Sequence, residues 1–175
     1  LLKHIENLKD VFDLNVIVGI NKYITDTDKE IEYLKSKLEE KGVNISLVEA
    51  WAKGGEGAID LAEKIVDLCD KPSDFKYCYE LNDSIKEKIE KIATKIYGAE
   101  GVEYSEEAEK TIQGLEKNGY GNMPVCIAKT QYSFSDDAKN LLCIEPFKIH
   151  VKNVILKTGA GFIVILTGNI FTMPG

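Results

Sequence analysis

Between Leu14 and Ile20 the chain reads LNVIVGI, a near-continuous β-branched run. A run without polar alternation predicts a strand buried on both faces of a parallel sheet. The polar stretch NKYITDTD follows, and Thr27 or Asp28 stands where a helix N-cap belongs. Ile31, Leu34 and Leu38 then recur at helical spacing through KEIEYLKSKLEEK, with Gly42 in the left-handed cap position. VNISLVEA predicts a second strand, WAKGGEG its loop, and AIDLAEKIVDLCD a second amphipathic helix. Strand, helix, strand, helix is a βαβα segment of a parallel sheet.

Lys71-Pro72-Ser73 marks a turn and an expected boundary. Residues 1–72 are therefore expected to form a Rossmann-like α/β segment, and 73–175 a smaller α+β domain. In the second part FKYCYE predicts a short strand, and Asn82, Asp83 or Ser84 opens a long helix through IKEKIEKIATKIYG. Another helix starts at Ser105, the strand PVCIAKT follows, and the polar loop QYSFSDD comes next. FKIHVKNVIL and FIVILTG read as two strands around the Gly159-Ala160-Gly161 turn. There is no internal repeat and no low-complexity segment.

Open parallel sheets bind ligands outside the carboxyl ends of their strands. NKYITDTD and WAKGGEG both leave strands at that edge, so they are expected to be neighbours. Tyr23 lies two residues past the end of a buried strand, and Trp51, the single tryptophan, holds the equivalent place on the next. Two such rings can form a slot for a planar heterocycle, base–aromatic stacking being worth about 1–3 kcal/mol per ring.

The glycines of AKGGEGAID suggest backbone N–H groups offered to an anion at a helix start. A Walker A loop needs G-x-x-x-x-G-K-[ST], and here Lys53 precedes the glycines, so a strand-to-helix turn is the plainer reading. Lys129, Thr130 and Gln131 sit on the loop after PVCIA, where the lysine offers an anion-binding group or simply a solvated charge. Asp136 and Asp137 are adjacent, point apart and read as a turn rather than an acid/base pair.

Net charge is −7 with both signs interleaved, which excludes the basic surface that duplex nucleic acid requires. All 22 basic residues are lysines, so an anion meets ammonium or backbone N–H groups and never a guanidinium fork. Cys69, Cys78, Cys126 and Cys143 show no C-x-x-C spacing and lie in apolar contexts, the pattern of buried reduced thiols in a cytosolic protein. With two histidines and no Cys/His cluster, neither a metal site nor a Ser/His/Asp constellation is expected. No apolar run is long enough to span a bilayer, and Leu1-Leu2-Lys3-His4 is neither a signal peptide nor an initiator. The expectation is a fragment, a processed chain or trimmed numbering.

Five blocks carry a family resemblance: NKYITDTDKE, WAKGGEGAIDLAEKIVDLC, SIKEKIEKIATKIYGAEGVEYSEEAEKTIQ, GYGNMPVCIAKTQYSFSDD and GAGFIVILTGNIFTMPG. In order and spacing they resemble the C-terminal portion of formate–tetrahydrofolate ligase (formyltetrahydrofolate synthetase), over essentially the whole chain. The resemblance implies an ATP-dependent ligase of one-carbon metabolism. Formate is phosphorylated to formyl phosphate, N10 of tetrahydrofolate attacks the formyl carbon, and 10-formyltetrahydrofolate and phosphate leave. It also implies ATP with magnesium, a monovalent cation such as potassium or ammonium, and a cytoplasmic homotetramer. In the complete enzyme the partners are tetrahydrofolate, formate or formyl phosphate, ATP or ADP, and the N-terminal ligase portion.

The family's ring-stacking aromatics map onto Tyr23, where Phe is usual, and Trp51. The slot they form is understood to take the pterin and to overlap the adenine position. Asp26, Thr27, Lys53, Gly54, Gly55, Glu56 and Gly57 lie in the matched loops and are expected in the pocket wall. Lys129, Thr130 and Gln131 are matched as well and are expected to face the cleft. No catalytic residue is assigned. The Walker A loop belongs to an N-terminal region outside these residues. Cys143-Ile144-Glu145-Pro146 stands where the family usually reads Gly-Arg-Pro, and a proline-rich tail normally follows Gly175. These departures point to a fragment or one part of a split enzyme, holding no cofactor alone and inactive alone. The alternative is a non-catalytic pterin- or nucleotide-binding scaffold derived from the ligase.

Overall fold

A computed structural model describes residues 1–143, 145–168 and 170. Ile144 of the altered stretch, and Asn169 and residues 171–175 of the last matched block, lie outside the described residues. The chain divides into two compact units, Leu1–Lys76 and Tyr77–Gly175, of mixed α/β content.

In the first unit β1 (Ile17–Asn21) and β2 (Asn44–Val48) pair in parallel, with Ile17 opposite Asn44 and Asn21 opposite Val48. The crossover helix α2 (Asp28–Glu39) starts at Thr27, whose hydroxyl accepts the Glu30 N–H at 3.3 Å. The Glu30 carboxylate in return accepts the Thr27 N–H at 2.9 Å, a reciprocal capping box. Leu38 of α2 and Val43 are buried against one face of the pair, with Val16, Val18, Ile20 and Ile45. The short helix α1 (Leu2–Glu6) adds Ile5 to that face, an element the apolar spacing did not announce. On the other face lies α4 (Ile59–Cys69), with Leu61 meeting β1 at Gly19. No β1 residue is fully buried, contrary to the expectation of a strand covered on both faces. Among the described residues its sheet has two strands, so β1 is an edge.

In the second, longer unit, α5 (Ile85–Lys91) selects Ser84 among the three candidate caps, again with a capping box, through Glu87. A wide helical turn, Ile92–Tyr97, extends α5 to Gly98, whose φ of +75° ends it. β3 (Val102–Tyr104) leads to α6 (Glu106–Lys117), capped by Ser105 as expected. β4 (Val125–Ala128), β5 (Ile149–Lys157) and β6 (Phe162–Thr167) complete a sheet of order β3-β5-β6-β4. β5 and β6 are antiparallel, while β3 and β4 join them in parallel at the two edges. The apolar stripes of α5 and α6, including Ile85, Ile89 and Ile112, close the core over Val151, Ile163 and Ile165.

Two further expectations fail. FKYCYE is not a strand. Its aromatics are used singly: Phe75 stacks on Phe12 with ring centroids 6.1 Å apart, and the Tyr79 hydroxyl accepts the Val125 N–H at 3.1 Å. All four cysteines are free, but only Cys78 is buried; Cys69 and Cys126 are exposed and Cys143 is half-buried. Cys126 points outward from the edge strand β4, and Cys69 ends an open stripe of α4.

Candidate functional site

The two loops expected to be neighbours leave the same edge of the first unit's sheet. The Lys22 N–H donates to the Val48 carbonyl at 2.9 Å, so the ladder runs one residue beyond β1 before Tyr23 turns away. Asp26 holds that turn: its carboxylate accepts the Tyr23 N–H at 2.8 Å, and its own N–H reaches the Tyr23 carbonyl. Thr27 is committed to capping α2. Asp26 and Thr27 thus shape the loop with their polar atoms rather than reaching outward. Tyr23 is 55% exposed and Trp51 70% exposed. Neither ring is part of the core; both stand at the carboxyl edge of the parallel pair.

Trp51 lies on α3 (Ala50–Lys53), one helical turn where the glycine stretch suggested only loop. Gly54, with φ +61° and ψ −142°, then reverses the chain in a conformation closed to other residues. A short 3₁₀ turn over Gly54–Ala58 brings Gly57 back onto the start of α3, where its carbonyl accepts the Glu49 N–H at 2.9 Å. A Cβ at Gly57 would stand 2.5 Å from Glu49 backbone atoms, so only glycine fits. Gly55 has open space around it. Lys53 is paired with Glu49 at 2.5 Å, and this hydrogen bond, more than any other influence, lowers the Glu49 carboxyl below its ordinary value. Glu56 is exposed.

Lys22 and Glu49 were not singled out by sequence. Lys22 pairs with Asp28 at 3.3 Å, and its charge also helps hold Glu49 ionised. Their one available signal was position, at or directly after the last residue of each strand.

Lys129, Thr130 and Gln131 belong to the second unit. The Lys129 ammonium is engaged within the protein: it donates to the Thr130 carbonyl at 2.8 Å and to the Ser133 carbonyl, and lies 5.0 Å from the Tyr97 ring centroid. Burial lowers its pKa from the usual lysine value. Its visible work is to fold the QYSFSDD loop onto the strand end. The Thr130 hydroxyl accepts the Tyr132 N–H, and Gln131 is exposed. Asp136 and Asp137 do diverge: Asp136 accepts from the His150 N–H at 2.7 Å and meets its ring Nδ1 at 3.0 Å, while Asp137 accepts the Lys139 N–H. Among the described residues no three His, Cys, Asp or Glu side chains gather as a metal ion would need. None of the described helices is long and apolar enough to cross a membrane.

A family profile described as formate–tetrahydrofolate ligase matches residues 1–175. The chain belongs to that family. A formate–tetrahydrofolate ligase of Symbiobacterium thermophilum is 46% identical over all 175 residues. The chain spans 32% of that relative's length. Within this chain of the ligase family the exposed rings and the loops that carry them lie at one edge of one unit. The matched lysine loop belongs to the other unit and is internally bonded.

Proposed function

We propose that the chain is the folate-side portion of an ATP-dependent ligase that makes 10-formyltetrahydrofolate from formate and tetrahydrofolate. In this reading a formate oxygen attacks the γ-phosphorus of ATP and ADP leaves, giving formyl phosphate. N10 of tetrahydrofolate then attacks the formyl carbon, and the tetrahedral adduct expels phosphate. The observation that carries the reading is the pair of solvent-exposed rings, Tyr23 and Trp51, at one strand edge of a ligase-family chain. Exposed aromatics at that edge fit a flat pterin or adenine, which stacks on a π-face without needing a matched hydrogen-bond pattern.

These residues do not fit the phosphates of ATP. No G-x-x-x-x-G-K-[ST] run occurs in the 175 residues, and Lys53 is already engaged by Glu49. Phosphoryl transfer depends on positioning and charge neutralisation. The ATP phosphates and their magnesium are therefore assigned to ligase polypeptide other than this chain; the monovalent cation and the cytoplasmic homotetramer are carried over from the family resemblance. The test is formate-dependent ATP consumption. The purified 175-residue chain should show none, and ligation should return when it is combined with the remaining polypeptide of the ligase. Turnover by the chain alone would overturn the assignment.

A further inference from the structure

The two free edges of the first unit's sheet are built differently. Val48 presents its carbonyl to β1, so by strand alternation the Ile45 carbonyl points to the outer edge of β2. Lys64 closes it: its ammonium donates to the Ile45 carbonyl at 2.8 Å and to Asp60 at 2.8 Å. Asp60 also accepts from the Ser46 hydroxyl at 2.6 Å. Lys35 and Glu39 of α2 complete a charged groove along that side. An edge carrying an ammonium on its exposed carbonyl, with charges on both flanks, is protected against further pairing.

Among the described residues β1 has no such guard. By the same alternation Ile17, Gly19 and Asn21 turn their N–H and carbonyl groups away from β2. Beside them lies a mainly apolar groove of about 260 Å³, lined by Leu14 and Ile17 with Ile65, Leu68 and Cys69 of α4, and by the polar Asn15, Lys71 and Ser73. From it an uncovered stripe continues along α4 through Val66, Ala62 and Ile59, the first 63% and the last 51% exposed. An unguarded apolar edge strand of this kind is one that folds pair with a further strand or cover.

We infer that β1 and the outer stripe of α4 are a docking face for a strand-and-helix unit of the ligase polypeptide outside this chain, its strand extending the sheet at β1. This rests on the ligase reading above. The occupant follows from three observations. The relative is about three times as long as this chain. The face is mainly apolar, with one lysine in its groove, where the opposite edge carries Lys35, Glu39, Asp60 and Lys64. A parallel strand brings a crossover helix with it, which is what the α4 stripe needs to be covered.

The test compares backbone amide hydrogen exchange in two polypeptides. One is the 175-residue chain; in the other these residues replace the matching part of the Symbiobacterium thermophilum ligase. The amides of Ile17, Gly19 and Asn21 should exchange about tenfold more slowly, or slower still, in the continuous polypeptide. The outward amides of β2 should be unchanged. Equal exchange at β1 would overturn the inference, as would a dimer of the 175-residue chain in which those amides are already protected. Co-expression as two pieces gives a second reading independent of the continuous polypeptide's solubility. Val66→Asp should leave the melting of the 175-residue chain unchanged and cut co-purification about tenfold, whereas undiminished co-purification would refute the face. Ligation activity reports separately. Activity without β1 protection keeps the function and removes the docking face; protection without activity does the reverse.

Discussion

Replacing Gly57 by alanine tests how the tryptophan-bearing loop is held. The added Cβ would lie 2.5 Å from the Glu49 carbonyl carbon and oxygen and 2.8 Å from the Ala50 nitrogen. Ordinary contact begins at 3.4 Å, so the two segments must part by 3.4 − 2.5 = 0.9 Å. The atoms in the way are backbone, with no rotamer to yield. That displacement takes the 2.9 Å bond from the Glu49 N–H to the Gly57 carbonyl out of hydrogen-bond range. Overpacking costs about 1–3 kcal/mol and the lost bond about 0.5–1.5 kcal/mol, together about 2–4 kcal/mol. For a unit of this size, about 4–8 °C per kcal/mol turns the lower figure into a melting shift of about 8–16 °C. The assay is thermal unfolding followed by Trp51 fluorescence, with Gly55→Ala as control because nothing lies within 4 Å of its added Cβ. Equal melting of Gly57→Ala and Gly55→Ala would refute the close approach and with it the description of the loop.

Three other outcomes follow from the second unit. Ile89→Ala empties a fully buried position between α5 and the sheet and should cost about 2–5 kcal/mol in urea unfolding. Tyr104→Phe should leave stability unchanged or raise it by up to about 1 kcal/mol, because the Tyr104 hydroxyl is buried without a hydrogen-bond partner among the described residues. Burial pushes the Tyr97 phenol up to about 12 from an ordinary value of 10, and raises Tyr104 further. The unfolded chain therefore releases these protons first. The native state binds more of them between pH 10 and 12, so stability should fall as pH rises through that window, with the urea midpoint as readout.

Local chemistry made much of this fold readable. Ser84 and Glu87, or Thr27 and Glu30, satisfy each other's backbone groups within four residues, so the helix starts need no tertiary information. β5 and β6 are long apolar runs around a glycine turn, and were legible for the same reason. β3 was not: its three residues form a strand only because β5 lies beside it. FKYCYE misled because alternating aromatics look like a strand face whatever each ring packs against. At the site, the strand exits placed Tyr23 and Trp51, since counting from a strand end suffices to put a ring at the edge. The uses of Asp26, Gly57 and Lys129 were illegible because each depends on a carbonyl or amide brought close by the folded loop.

The central claim is that Tyr23 and Trp51 offer two faces to one flat heteroaromatic ring. Titration of the chain with tetrahydrofolate, followed by Trp51 fluorescence, tests it most directly when repeated with Tyr23→Ala. Loss of one stacking face should weaken binding by about 1–3 kcal/mol, roughly one to two decades in Kd. Tyr33→Ala, which removes another exposed ring from the side of α2, should leave it unchanged. Saturable quenching with the same Kd in Tyr23→Ala would contradict the account.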